Sequence, residues 1–165
     1  MSPVSRLRPP AQAFHHTAQA QALLARAKAL QRDASQHPRP LLGKRLGLMS
    51  ATPDSEDARL FREAAHDLGA HVALIPDPTK HPGVHADPLR GVGQLLGRLY
   101  DAVECQGLSD AVVCDLAAVA RIPIYAGLAS KEHPVFQLAR GWRTSATLSH
   151  RRRWLVQAAL LAALT

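Results

Sequence analysis

Cysteine is nearly absent: the 165 residues hold two, Cys105 and Cys114, both inside apolar runs. Such usage supplies neither a disulfide framework nor a zinc motif, and it fits a reducing compartment. Long apolar runs are missing as well. The N-terminus has no apolar core of signal-peptide length, and the tail Leu155–Thr165 is far shorter than the ~20 residues of a membrane span. A soluble cytoplasmic protein with no membrane partner is expected. Aromatic residues are 4% of the chain and none alternates with the arginines. With no nucleic-acid-binding motif either, a nucleic-acid partner is not expected.

Carboxylates are scarce at both ends. Residues 1–45 hold eight Lys/Arg against Asp33 alone, and residues 140–165 hold five arginines and no acid. The middle segment has twelve of the thirteen acids, so a net charge of +7 comes from basic ends around a mildly acidic centre. This distribution allows a cationic face for a polyanion, and it equally describes two solvated helix faces. Apolar residues make up 47%, which excludes wholesale disorder, and the length suits one domain with its own core.

Strand and helix signals alternate. Thr17–Asp33 reads as a helix with Thr17 as N-cap and Leu23, Leu24, Ala27 and Leu30 on one face. Gln36–Leu42 is a connector, and Leu46–Met49 a buried strand. Helix Glu56–Leu68 follows, with Asp54 as its N-cap and Gly69 closing it. His71–Ile75 is a second strand and the proline-rich Pro76–Pro88 a loop. Leu89–Leu99 is a helix, Asp101–Cys105 a strand, and Ser109–Ala120 a helix capped by Ser109. Ile122–Tyr125 is a strand in which Pro123 marks the first residue or an edge. His133–Arg140 and Ser149–Leu164 are the last helices. The expected fold is α/β: one doubly wound domain with a parallel sheet of about four strands, ordered 2-1-3-4, and helices on both faces. The helices at the two ends of the chain should pack together and form one basic surface. Residues 1–13 read as a flexible N-terminus and 14–165 as the domain.

The turn after the first strand carries the most information. A strand-to-helix turn usually binds anions, because free N–H groups and the positive end of the helix dipole point outward. Here Asp54, Glu56 and Asp57 occupy it. Either the turn has another job or an anion site has been shut.

Three blocks resemble the transcarbamoylase family, and ornithine carbamoyltransferases most closely, in their carbamoyl-phosphate-binding domain. They are Leu42–Met49 running on through Phe61 to Leu68–Val72, then Leu96–Gly107, then Ile122–Leu128 with His133-Pro134 and Leu138-Ala139. Arg151–Leu164 is similar to the family's last helix, which returns to pack on this domain. The resemblance implies that the family's second domain would have to lie between about Gly141 and Ser149, where the sequence has no room for it.

The same resemblance identifies a vestigial pocket. The family's phosphate motif Ser-Thr-Arg-Thr-Arg falls on Asp54, Ser55, Glu56, Asp57 and Ala58, so both arginines are gone. The arginine that reaches the carbamoyl oxygen falls on Gln106. His-Pro-Thr-Gln falls on His133, Pro134, Val135 and Phe136, leaving His133 as the one catalytic candidate. A neighbouring subunit of the family lends a residue from the loop that here is Pro76–Asp87, which contains Lys80. Losing one arginine from a buried phosphate pair costs on the order of 2–5 kcal/mol. A carboxylate ~4 Å from a phosphate charge adds roughly 4 kcal/mol of repulsion at an effective dielectric near 20. Millimolar affinity amounts to only about −4 kcal/mol. Carbamoyl phosphate is therefore not expected to bind in the family's pose.

Other candidates are weaker. His15, His16, His71, His81 and His85 lack helical i, i+4 spacing with a carboxylate and read as surface or packed residues, with His71 structural beside its strand. No metal or cofactor is expected. Arg151, Arg152 and Arg153 open the last helix, where the dipole disfavours cations; a solvated or interdomain contact is expected for them. The leading functional reading is a non-catalytic carbamoyltransferase-like protein acting in binding or assembly. Its implied partners are further copies of itself, with a trimer favoured by the resemblance, or a full-length transcarbamoylase subunit. The alternative is an enzyme or binder of a cationic or amine ligand at the same switch-point pocket. Polyanion binding through the basic ends is the third.

Overall fold

Four buried residues in succession, Leu46 to Met49, make β1 (Arg45–Ser50) a strand covered on both faces, which is the position of a central strand in a parallel sheet. The computed structural model describes residues 18–33, 39–80 and 88–165. Its sheet runs β2 (His71–Ile75), β1, β3 (Ala102–Gln106), β4 (Ile124–Ala126), all parallel. That is the 2-1-3-4 order expected from the strand and helix alternation. Gly47 lies under the side chains that lean across β1: a Cβ there would meet Ile75 Cδ1 at 2.3 Å and Val103 Cγ2 at 3.1 Å.

Helices cover both faces. On one side α1 (Ala18–Arg32), α2 (Glu56–Asp67), α5 (Pro134–Gly141) and α6 (Leu148–Leu164) close a core that includes Leu46, Leu48, Phe61, Leu155 and Leu160. On the other, α3 (Pro88–Leu99) and α4 (Asp110–Ala120) cover Met49, Val103, Cys105, Val113 and Leu116. The amphipathic spacing read from the sequence places these faces correctly. Phe61, Ala64 and Ala65 of α2 have no exposed surface. Among the described residues, no helix is long and apolar enough to cross a membrane.

Several local expectations are corrected. The cap of α2 is Ser55, not Asp54: its backbone is extended (φ −65°, ψ 159°) and its hydroxyl accepts from Ala58 N–H. Both residue types cap equally well, so composition alone does not choose between neighbours. Gly69, at φ +92°, stands one residue beyond the cap residue Leu68. The last strand begins at Ile124, leaving Pro123 outside it with its carbonyl accepting from Val103 N at 3.0 Å. His71 opens β2 with an exposed side chain rather than a packed one. The expected Thr17 cap, the 1–13 segment, residues 81–87 of the proline-rich loop, and His15, His16, His81 and His85 lie outside the described residues. Residues 142–147 alone join α5 to α6, too few for an inserted domain at that place.

Candidate functional site

The strand order reverses direction between β1 and β3, and the carboxyl ends of these strands form the crevice where open α/β sheets place ligands. Three loops converge there: the turn from Ser50 to Ser55, the end of β3 at Gln106, and the segment from Gly127 to His133 that leads into α5. The turn ends in the Ser55 cap, whose Oγ lies 3.2 Å from Ala58 N. Ala58 is fully buried beneath the turn, and Asp54 is exposed at its rim. Glu56 and Asp57 occupy the first turn of α2, where the helix dipole favours negative charge.

An arginine fills the crevice. Arg152, on α6, is 4% exposed and donates through Nη1 to Glu56 Oε1 at 3.0 Å and through Nη2 to Asp57 Oδ1 at 2.6 Å. The same Nη2 donates to the Ala129 carbonyl at 2.8 Å, and the guanidinium carbon lies 5.2 Å from the centre of the Phe136 ring. Two carboxylates, a carbonyl and an aromatic face together offset the desolvation of a buried guanidinium. Lys131 completes the arrangement from the surface, its Nζ 3.0 Å from Glu56 Oε2. The hydrogen bond from Lys131, reinforced by the charges of Lys131 and Arg152, holds the Glu56 carboxyl below its ordinary range against partial burial.

Beneath this cluster lies a third carboxylate, which the sequence reading missed. Glu104, on β3, has no exposed surface; its Oε2 accepts from Leu128 N at 3.0 Å and its Oε1 from Ala129 N at 3.2 Å. Gln106 Nε2 donates to Glu104 Oε1 and to the Asp57 carbonyl, both at 3.2 Å. Gln106 Oε1 is buried without a hydrogen-bond partner among the described residues. Burial pushes the Glu104 carboxyl up to about 8, the nearby Asp57 charge adding to the rise, while the donors from Ala129, Gln106 and Leu128 oppose it. The signal for Glu104 was available: it is the one charged residue in the fully buried strand Ala-Val-Glu-Cys-Gln.

Of the residues expected in the pocket, Glu56, Asp57, Gln106 and Phe136 are drawn together around Arg152 or its partners. Ser55 and Ala58 shape the turn, and Asp54 stays at the rim. His133 is the N-cap of α5, its Nδ1 accepting from Val135 N at 3.2 Å. That nitrogen is committed to the helix end. Lys80 is exposed in the turn after β2.

The expectation that Arg151–Arg153 form a solvated or interdomain contact is corrected, and with it the single basic surface. α1 and α6 do pack together. Yet Arg152 turns inward to α2, Arg153 donates to Glu63 and Asp67 of α2, and Arg151 donates to the carbonyls of Ala139 and Trp142. The acids lie about ninety residues earlier, so no local pattern reveals the pairing. Chemically, the crevice holds a cation and offers an incoming anion two carboxylates and a guanidinium already bound to them.

No family model matches the chain. Curated proteins do match. Ornithine carbamoyltransferase of Actinobacillus pleuropneumoniae serotype 5b is 37% identical over 99 residues, which cover 60% of this chain and 29% of that protein. The catabolic ornithine carbamoyltransferase of Burkholderia mallei is 36% identical over 130 residues, covering 76% of this chain and 38% of that protein. Among solved structures, ornithine carbamoyltransferase from Pyrococcus furiosus matches with a TM-score of 0.62 and 26% identity, covering 77% of this chain and 41% of that one. Sequence and fold thus agree on a transcarbamoylase-like partial domain, similar to ornithine carbamoyltransferases over less than half of their length.

Proposed function

We propose that this chain is a degenerate relative of the carbamoyltransferases whose carbamoyl-phosphate pocket is closed by the protein's own charges. In this reading it works in the cytoplasm as a binding or oligomeric assembly protein and does not transfer carbamoyl groups. The observation that carries the reading is the buried Arg152 seated on Glu56 and Asp57 at the start of α2. A phosphate entering there would have to displace the guanidinium and then face two carboxylates. Calorimetric titration with carbamoyl phosphate tests it: no heat of binding is expected at low millimolar ligand, and micromolar affinity would overturn the reading. Sedimentation of the protein, alone and mixed with a full-length ornithine carbamoyltransferase, tests the assembly role. A monomer that ignores the full-length enzyme would remove that part.

A second reading has one observation in its favour, since the pocket's acids do hold a guanidinium. In that reading an external amine or guanidine competes with Arg152 for Asp57. Heat from ornithine or a polyamine that vanishes in Asp57→Arg would support it over the first.

A further inference from the structure

We propose that the groove between α3 and α4, on the opposite face of the sheet from the Arg152 site, binds a small anion carrying two or more phosphoryl groups. The groove, about 540 Å³ in volume, is lined by Arg90, Gln94 and Arg98 of α3 and by Arg121 beyond the end of α4, and among the described residues no carboxylate lines it. Arg90, Gln94 and Arg98 follow one another at steps of four residues, so they form a stripe along one helix face roughly 12 Å long. Arg121 faces that stripe across the groove. The inference does not depend on the function proposed above.

Helix dipoles account for only part of this arrangement. Arg98 in the last turn of α3 and Arg121 at the end of α4 complement negative helix ends. Arg121 has φ +57°, the one non-glycine residue in the left-handed region among the described residues. Glycine would adopt that conformation at lower energy, so an arginine there points to a use for its side chain. The two helices are also held at close range. A Cβ on Gly97 would lie 2.2 Å from the Ala120 carbonyl oxygen, so a residue with a side chain would push α4 and Arg121 away. Guanidinium groups recognise phosphoryl oxygens through paired N–H donors, and converging forks favour an anion with several such groups over one with a single group.

The test is titration of the intact protein with orthophosphate, tripolyphosphate, a nucleoside triphosphate and a short oligothymidylate, at about 50 mM salt, where phosphate contacts are strong. Tripolyphosphate is expected to bind at least roughly tenfold more tightly than orthophosphate, and the double variant Arg98→Gln, Arg121→Gln to lose about that factor. Arg26→Gln with Arg32→Gln removes the same charge from exposed positions of α1 and is expected to leave the affinity within about twofold. A nucleoside triphosphate binding as well as tripolyphosphate supports the site and one binding better names an organic part to its ligand. Equal affinity for the two inorganic anions, or equal loss in the α1 control, overturns the proposal. Oligothymidylate binding more tightly than tripolyphosphate at equal phosphate overturns it in favour of a macromolecular polyanion. Circular dichroism of each variant separates lost binding from lost fold.

Discussion

Arg151, Arg152 and Arg153 stand side by side at the start of α6, whereas Arg90, Arg98 and Arg121 come from separate stretches and meet only across the α3–α4 groove. Members of the first set are bound to carbonyls or carboxylates of the chain itself. The second set lines a groove in which no described residue is a carboxylate. What separates them is the distribution of acids rather than the arginines. The middle of the chain supplies Glu56, Asp57, Glu63 and Asp67 along α2, and α6 packs on that helix. α4 carries Asp110 and Asp115, but neither lines the groove. A cluster of cations reads as a binding surface only after its internal partners have been counted.

Removing Arg152 should have the largest effect on stability. Arg152→Met leaves Asp57 and half-exposed Glu56 facing each other beside half-buried Phe136 and buried Ala129. The expected loss is about 1–3 kcal/mol: the guanidinium is buried, but the carboxylates it leaves are partly exposed, so water takes over some of its role. Chemical denaturation measures it, and a loss under about 0.5 kcal/mol would mean the pair is solvated in solution.

The acid beneath the pair gives the next largest effect, and it is read through pH. Glu104 is held near 8 when folded and close to 4.5 when unfolded, so between these values the folded state binds more protons than the unfolded one. Stability should therefore fall as pH rises from about 5 to 8. Glu56, with its carboxyl lowered, contributes in the opposite sense: its stabilisation is present above the ordinary carboxylate range and is lost in acid. Glu104→Gln should flatten the decline between pH 5 and 8 while lowering stability at the acid end, as seen by urea unfolding at both values. An unchanged slope would assign the decline to other groups.

The smallest effects set the two arginine sets directly against each other. Arg153→Gln removes a partly exposed network with Glu63 and Asp67 and should cost about 0.5–1 kcal/mol. Arg98→Gln, at an exposed position, should stay within about 0.5 kcal/mol of the parent. Equal losses in the two variants would mean that Arg98 has a stabilising partner comparable to that of Arg153.

The sheet order was legible because each strand and helix carries its own periodicity and because parallel connections leave few topologies. β2 spans His71–Ile75 as read, and Ser109 caps α4 as read. The acidic character of the α2 turn was equally legible from Glu56 and Asp57. The occupant of the crevice was not. Arg152 and Asp57 are joined by a hydrogen bond across 95 residues of sequence, and their meeting depends on the packing angle of α6 against α2. One hint existed: three cations in the first turns of α6, where the dipole disfavours them, need a source of negative charge. Their row in the sequence suggested one surface, but successive helical positions point in different directions, and the three side chains end in three different places.

Cys105 and Cys114 complete the picture from the side of thiol chemistry. Cys105 sits within β3, buried, its thiol pushed up to about 12 by burial and by the charges of Glu104 and Asp77. Cys114 is exposed on α4. An alkylating reagent therefore meets one accessible sulfur on the folded molecule, and the other becomes available only when β3 separates from its neighbours. The chain thus carries a native tag and a built-in clock: the slow second alkylation times the opening of the middle of the sheet.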